Sequence, residues 1–322
     1  MVNTKHKTVL LQEAIEGLNL DSKSIVVDAT FGGGGHSLEI CKRFPNAKII
    51  ALDQDSGAFQ KAESKFKDLY CNITFVNENF RNLDKESWSA KNFGKYALGD
   101  TGQGTHFSQN PLRANSVDGI IFDLGLSSDQ LENSGRGFSF LRDEPLLMTM
   151  KENPGSEDVT AEDVVNTWGE KNLADIIYGY GEEKFSRRIA KGIVEAREKA
   201  KIKTTFDLVK IISEVVPKVY QRGRLHYATK TFQAIRIAVN DELGALTVGL
   251  DKGFKLLKIN GRMSVISFHS LEDRIVKRFY KEKVKEGKAE LINKKVILAN
   301  DNEIRNNPRS RSAKLRILGK IN

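Results

Sequence analysis

The chain has 322 residues, of which 39% are hydrophobic and 29% are charged, as is typical of a globular protein with room for a second domain. No window approaches about 18 consecutive apolar residues, so we expect no membrane-spanning helix. The start MVNTKHKTVLLQEA lacks the apolar centre of a secretory signal. Cys41 and Cys71 lie outside any CxxC or Cys/His cluster, which favours a reduced, cytoplasmic protein without a structural zinc.

The net charge of +9 favours a polyanionic partner, although solvated lysines alone would also explain it. The position of the charge is more informative than its total. Residues 304–322 contain no acid and six bases, namely Arg305, Arg309, Arg311, Lys314, Arg316 and Lys320. We therefore expect this basic tail either to contact RNA or to pair with acids of the protein itself.

Continuous apolar runs predict strands that are buried on both faces of a parallel sheet. In chain order these runs are Ser24–Phe31, Lys48–Asp55, Asn72–Phe80, Val117–Leu126 and Gly261–Ser270. Helical patterns such as Ser37–Arg43 and Gly57–Phe66 separate the early strands, so the pattern predicts a doubly wound α/β sheet. Lys294–Ala299 and Ala313–Lys320 are predicted to be edge strands.

More than 130 residues between the fourth and fifth predicted strands contain no convincing strand. Amphipathic spacing predicts helices over Glu182–Lys199, Thr205–Val216 and Thr229–Leu246. One crossover needs only one helix, so we predict an inserted helical domain at 132–225, between core segments 1–131 and 226–322. Trp88–Ser116 has no periodicity and is predicted to be a long loop.

Four consecutive glycines, Gly32–Gly35, follow the first predicted strand. Bare backbone at this point allows a ligand to approach closely, and Asp53 at the end of the second strand could accept hydrogen bonds from ribose hydroxyls. S-adenosylmethionine (SAM), a dinucleotide and a purely structural turn remain open. The GxGxxG register is poorly met, and a P-loop is excluded because no Gly-Lys-Ser/Thr follows.

Phe80 and Asp123 end the third and fourth predicted strands. Ligands of open α/β sheets bind outside the carboxyl ends of the strands, which would place both residues beside an adenine. Phe80 could equally be a core aromatic. For Asp123 we favour function, because burying a carboxylate without a role is costly.

Six long motifs resemble the ribosomal RNA small-subunit methyltransferase H family, also called MraW, and occur in the family's order. They are DATFGGGGHS (Asp28–Ser37), DLGLSSDQLENSGRGFSF (Asp123–Phe140), GEEKFSRRIAKGIVEAR (Gly181–Arg197), TFQAIRIAVNDEL (Thr231–Leu243), SFHSLEDRIVK (Ser267–Lys277) and NPRSRSAKLR (Asn307–Arg316). The resemblance implies an α/β protein with a Rossmann-like class I SAM-dependent methyltransferase core and an inserted all-helical domain. It also implies methylation of N4 of one cytosine in the decoding region of small-subunit (16S) ribosomal RNA, presented as RNA or as an assembled subunit.

The resemblance also implies which residues contact SAM. These are Gly34, Gly35, His36, Asp53, Phe80, Asp123 and Gln130. The segment DEPLLMTM (Asp143–Met150) departs from the family's DGPLDMRMD-like pattern, which puts its RNA contacts in question.

The residue types agree with a nitrogen or oxygen atom as the acceptor of the methyl group. Methylation of cytosine C5 needs a thiolate, and no cysteine lies at the end of the fourth or fifth predicted strand. We hypothesise that Asp123 accepts the N–H protons of the amine. His36 is interpreted as a SAM contact, with a helix cap and a general base as alternatives, and His269 as a substrate contact or a cap. RNA-contact candidates besides the tail are Arg136, Arg187, Arg188 and Arg236. An RNA-binding module that has lost catalysis is the alternative function.

Overall fold

The computed structural model describes residues 7–66, 69, 72–83, 93–98 and 114–322, with only the backbone over 93–98. It divides into two compact units. Unit 1 comprises the described residues up to Gly125 and those from Leu243 onwards, and unit 2 is the continuous segment Leu126–Glu242. None of the helices in these ranges is both long and apolar enough to cross a bilayer.

A single sheet in unit 1 contains the strands of the described chain. They are β1 (Ile25–Asp28), β2 (Lys48–Asp53), β3 (Asn72–Asn77), β4 (Phe93–Leu98), β5 (Val117–Asp123), β6 (Leu257–Ser267), β7 (Ala289–Leu291), β8 (Ile297–Leu298) and β9 (Lys314–Lys320). The order is β4-β3-β2-β1-β5-β6-β9-β7, and β8 pairs with β9. The five strands from β3 to β6 in this order run parallel, whereas β4 and β9 are antiparallel to their neighbours.

The helices of the described residues are α1 (Leu11–Leu18), α2 (Gly35–Arg43), α3 (Ser56–Phe66), α4 (Ser128–Glu132), α5 (Ala161–Thr167), α6 (Glu170–Gly179), α7 (Ser186–Arg197), α8 (Thr205–Val215), α9 (Lys218–Gln221), α10 (Thr229–Asn240), α11 (Glu242–Leu256), α12 (Ser270–Lys285) and α13 (Asp301–Asn306). Helices α1–α3 bury one face of the sheet, and α11 and α12 bury the other. Val26 and Val27 show why the strands read as continuous apolar runs, because the two neighbours point into opposite apolar layers. The fold is therefore a doubly wound, Rossmann-like α/β core, as predicted.

Three predicted elements of the sheet region were wrong. Residues 93–98 of the predicted loop form β4, which pairs with β3, while most of the remaining loop lies outside the described residues. β9 lies between β6 and β7 and is an interior strand rather than an edge. The helix predicted over Thr229–Leu246 ends at Asn240, because Asp241 adopts a left-handed conformation (φ 45°), and a second helix follows.

Unit 2 is made of helices around one apolar core that includes Val164, Leu173, Ile189 and Ile235. The predicted insert, 132–225, differs from the segment Leu126–Glu242 at both ends. The larger difference arises because α10 packs on α5 and α6 and gives Phe232 and Ile235 to their core. Periodicity identified this helix but not its packing partners.

Cys41 lies in α2 and is disulfide-bonded, so the prediction of reduced thiols was wrong. Cys71 lies outside the described residues.

Candidate active site

The glycine turn, Gly32–Gly35, joins β1 to α2. Gly32 (φ 50°) and Gly34 (φ 72°) adopt left-handed conformations that favour glycine. A Cβ on Gly34 would also lie 2.7 Å from the Phe31 ring. Backbone conformation and packing therefore account for Gly34 without any ligand.

Gly35 lacks a side chain for a different reason. A Cβ there would overlap the hydroxyl of Thr8, so the N-terminal segment lies directly against the first turn of α2. The tail helix α13 holds this segment in place. Glu303 Oε1 accepts a hydrogen bond from the Leu10 amide at 2.8 Å, and Asn307 Nδ2 donates to the Lys7 carbonyl at 2.9 Å. Sequence analysis missed Thr8 and Glu303, since no local pattern reveals contacts between residues that are distant in the sequence.

Asp53 ends β2 and fixes the glycine turn. Its Oδ2 accepts the Gly32 amide at 2.7 Å, and its Oδ1 accepts the Asp55 amide at 2.9 Å. A carboxylate has about four acceptor positions, so two remain for ribose hydroxyls. Burial raises the pKa of Asp53 to about 6, against the effect of these two amides.

Asp28 is a second buried carboxylate beneath the turn. Its Oδ2 accepts a hydrogen bond from the Ser37 hydroxyl at 2.6 Å, and its Oδ1 accepts one from the Thr30 amide at 3.3 Å. Burial raises the pKa of Asp28 to about 6. These contacts tie the end of β1 to the first turn of α2.

Asp123 ends β5 and is the residue whose environment most favours a ligand. Its amide donates to Thr30 Oγ1 at 2.6 Å, and its Oδ2 lies 3.7 Å from Nδ1 of the buried His36. Its Oδ1 is buried and has no hydrogen-bond partner among the described residues. Burial and then the charges of Asp28 and Glu272 raise the pKa of Asp123 well above its ordinary value. A ligand donor or positive charge would offset this cost.

Phe80 and Gln130 have packing and capping contacts. Phe80 follows β3 in a short 3₁₀ turn, and its half-buried ring meets Phe122 edge-on at 5.6 Å. Gln130 belongs to unit 2, where it forms a capping box with Ser127 at the start of α4. These contacts describe both side chains without testing their predicted SAM contacts. His269 similarly caps α12 by accepting the Glu272 amide at 3.4 Å.

Several candidate RNA contacts are used inside the protein. The guanidinium of the buried Arg136 donates to the carbonyls of residues 149–151. Arg236 forms two hydrogen bonds with Glu242, at 2.7 and 2.8 Å. Both arginines therefore have partners within the protein, whereas Arg187 and Arg188 are exposed.

The basic tail also contains both bases with partners inside the protein and exposed bases. Arg316 and Lys314 pair with Asp273, and Lys320 Nζ donates to Asn115 Oδ1 at 2.7 Å and Leu257 O at 2.8 Å. These three bases therefore have structural partners. Arg311 remains exposed.

The segment Asp143–Met150 packs into unit 2. Leu146, Met148 and Thr149 are buried, and the Met148 amide donates to the Arg136 carbonyl at 2.7 Å. The departure at Thr149 therefore lies in the core of unit 2 rather than on an exposed RNA-binding face.

The site fits a cationic, adenosine-containing ligand. Asp28, Asp53 and Asp123 surround the turn with carboxylates whose pKa values are raised, and a sulfonium would relieve their repulsion. Asp53 has acceptor positions for a ribose, and Asp123 has an unpartnered oxygen. A parallel sheet with this turn after its first strand is Rossmann-like, and together with these carboxylates it fits the class I SAM-dependent methyltransferases.

The chain belongs to the MraW methylase family, whose model matches residues 3–321. It is 44% identical to the ribosomal RNA small subunit methyltransferase H of Ruminiclostridium cellulolyticum, over 98% of this chain and 99% of that protein. The enzyme of the same name from Limosilactobacillus fermentum is 40% identical over the whole of both chains. That from Sulfurihydrogenibium sp. is 44% identical over 97% of this chain and 98% of its own. The resemblance seen in the six motifs is therefore confirmed along the chain.

Proposed function

We propose that this methyltransferase transfers a methyl group from SAM to N4 of a cytosine in the decoding region of small-subunit ribosomal RNA. Similarity to enzymes named ribosomal RNA small subunit methyltransferase H, at 40–44% identity over nearly complete chains, supports the RNA substrate. The family resemblance supplies the particular atom and region. SAM, when bound, supplies an electrophilic methyl group on its sulfonium.

The unpartnered Oδ1 of Asp123 is the observation that best supports an amine nitrogen as the atom that receives the methyl group. An exocyclic amine is a poor nucleophile because its lone pair is delocalised into the ring. A carboxylate that accepts an N–H proton in a hydrogen bond favours rehybridisation as the new bond forms. Asp123 lies at the carboxyl end of β5, where substrates of such sheets bind.

We assign the other site residues to donor binding, to which Asp123 contributes as well. The amides of Gly35 and His36, at the start of α2, are assigned to the donor carboxylate. Gly34 is assigned to the close approach of the backbone, since its own amide donates to the Phe31 carbonyl at 2.7 Å. Asp53 is assigned to the ribose hydroxyls. Phe80, Asp123 and Gln130 complete the proposed set. His36 lies against Asp123 and is assigned to positioning rather than to proton removal, because a methylated amine loses its proton readily.

Ring-carbon methylation is not supported by the described residues. It would need a free thiolate near the carboxyl ends of β5 or β6. Cys41 lies in α2 and is disulfide-bonded.

Mass mapping of small-subunit RNA after incubation with the protein and SAM tests the proposal. Naked RNA and assembled subunits should be tried in parallel, and one cytosine in the decoding region should gain a methyl group on N4. A product on C5 would refute the proposed acceptor. No transfer of tritiated methyl groups to either substrate would favour the alternative of an RNA-binding module without catalysis.

Asp123→Asn tests the proton acceptor. We expect kcat to fall about 100-fold, because the neutral amide oxygen of Asn is a weaker acceptor than a carboxylate for the N–H group, which becomes more acidic in the transition state. SAM affinity, measured by calorimetry, separates this effect from donor binding. Full turnover together with normal SAM binding would rule out the carboxylate.

A further inference from the structure

Two neighbouring segments of unit 2, residues 182–188 and 218–230, concentrate positive charge. They hold seven bases and two acids, and one of the acids, Glu183, is buried and accepts a hydrogen bond from the Tyr220 hydroxyl. The bases are Lys184, Arg187, Arg188, Lys218, Arg222, Arg224 and Lys230. We call these segments, together with Phe140, the basic-aromatic surface.

The two segments are joined directly. Lys230 Nζ donates to the Glu182 carbonyl at 2.8 Å, and Tyr220 reaches Glu183. The Lys184 ammonium lies 5.1 Å from the Phe185 ring centre and 5.4 Å from that of Tyr220. Cations and aromatic faces therefore share one continuous surface.

A stack of three rings extends this surface. The His226 ring lies 4.5 Å from Phe140 at an angle of 12° and 4.2 Å from Tyr227 at 28°. His226 Nδ1 accepts the Ala228 amide at 3.3 Å, which places the proton of the neutral ring on Nε2. Burial lowers the pKa of His226. The stack therefore presents an uncharged ring with a hydrogen-bond donor amid the surrounding cations.

Exposed apolar side chains flank the stack. Leu141 follows Phe140 and is 79% exposed, and Leu225 precedes His226 and is 53% exposed. Arg222 and Arg224 are exposed beside them. A partner for this surface needs flat apolar faces for the rings and leucines as well as negative charge for the arginines. Unpaired nucleotides have both features, whereas duplex RNA offers mainly phosphates.

We propose that the basic-aromatic surface binds unpaired nucleotides of the RNA substrate, with bases stacked at the ends of the three-ring stack, on Phe140 or Tyr227, and phosphates on Arg222 and Arg224. This inference rests on the proposed function for the identity of the RNA. It adds a binding surface for nucleotides and gives unit 2 a substrate-binding role.

The phosphate contacts are tested with the full chain carrying Arg222→Gln and Arg224→Gln together. Lys199→Gln is the matched control, since Lys199 is an exposed base of unit 2 outside the two segments. Binding of naked small-subunit RNA should weaken about tenfold or more, and the slope of log affinity against log salt should fall by about 1.4 to 2. SAM affinity and the control should remain unchanged.

The stacking contact is tested with His226→Phe and His226→Leu. The phenylalanine variant should retain RNA affinity, whereas the leucine variant should lose about fivefold or more, because the central ring holds Phe140 and Tyr227 in position for the stacked bases. Equal melting temperatures and SAM affinities for the two variants exclude a folding defect. If the leucine variant does not fold, Phe140→Tyr and Phe140→Leu provide the same comparison.

Unchanged RNA affinity and salt slope in the double arginine variant would overturn the inference, as would equal affinities for the two ring variants. Loss of activity only on assembled subunits would also overturn it and indicate a ribosomal protein partner. If RNA binding depends on this surface but no methyl group is transferred, the inference stands and the proposed function fails. If the wild-type protein binds no RNA, both fail.

Discussion

The two units differ in how their charge is used. The sequence of residues 1–125 and 243–322, which includes unit 1, holds 33 Lys and Arg against 23 Asp and Glu, whereas unit 2 holds 18 against 19. Yet Lys314, Arg316 and Lys320 of unit 1 have structural partners, while unit 2 concentrates exposed bases on the basic-aromatic surface. The total charge of a unit therefore does not locate an RNA-binding surface. The structural partners of each lysine and arginine are more informative.

Arg136→Met should have the largest effect on stability and would sharpen the distinction between structural and surface arginines. It removes the buried guanidinium that donates to the carbonyls of residues 149–151, so we expect the free energy of unfolding to fall by about 3 kcal/mol. Arg187→Met on the exposed face should change it by less than about 0.5 kcal/mol. Chemical denaturation measures both. Equal effects would contradict the assigned role of Arg136.

Gly34→Ala and Gly135→Ala compare the turns of the two units. Both glycines have positive φ, but a Cβ on Gly135 meets nothing within 4 Å, whereas one on Gly34 would lie 2.7 Å from Phe31. We expect a loss of about 1 kcal/mol at Gly135 and about 2–3 kcal/mol at Gly34. SAM binding should weaken only in the Gly34 variant. Calorimetry with and without SAM reports both quantities, and equal losses would show that packing on Phe31 is unimportant.

Glu303→Ala tests whether the tail helix supports the donor site through the N-terminal segment. Removing the acceptor of the Leu10 amide should loosen Thr8 over Gly35 and weaken SAM binding about fivefold to tenfold. Glu303→Gln keeps an acceptor oxygen and should retain the affinity, and Glu290→Ala on the exposed strand β7 is the control. Identical SAM affinities for the alanine and glutamine variants would remove this support.

The smallest predicted effect is a pH dependence confined to unit 1. Asp28 and Asp53 have pKa values raised to about 6, so each gains a proton as the pH falls through that value and attracts a sulfonium less. SAM affinity should fall severalfold between pH 7.5 and pH 5. The demethylated product has no sulfonium charge and should show a shallower profile. If the affinities for SAM and for the demethylated product changed equally with pH, the titrating groups would not be carboxylates that attract the sulfonium.

The same carboxylates also affect the stability of the free protein. Their folded pKa values lie above the ordinary value of 3.8, so the folded state binds protons more tightly than the unfolded chain. Their contribution to stability is therefore present below about pH 4 and is lost as the pH rises through about 6. Bound SAM should oppose this loss above pH 6.

Sequence patterns predicted the features that depend on local chemistry. Apolar runs identified β1, β2, β3 and β5, because strands buried on both faces need them. The acidic strand ends at Asp53 and Asp123 followed from strand order alone. Each lies at the carboxyl edge of the sheet, and both are partly buried.

Features that depend on distant contacts could not be predicted. The Thr8 contact explains Gly35, and the break at Asp241 separates two helices whose apolar faces belong to different cores. Arg136 and Arg236 look like surface bases in the sequence, but their acceptors come together only in the folded unit. Periodicity reports which face of an element is buried and does not identify what buries it.

The interruption of unit 1 by unit 2 has a consequence for synthesis. The pairing of β5 with β6 joins residues 117–123 to residues 257–267. The sheet therefore cannot be completed until the ribosome has synthesised the whole of unit 2. The helical unit is contiguous and is expected to fold first. Translation that stops near residue 242 would release a finished helical unit attached to a sheet without β6 and β9, with the apolar edge of β5 open to aggregation.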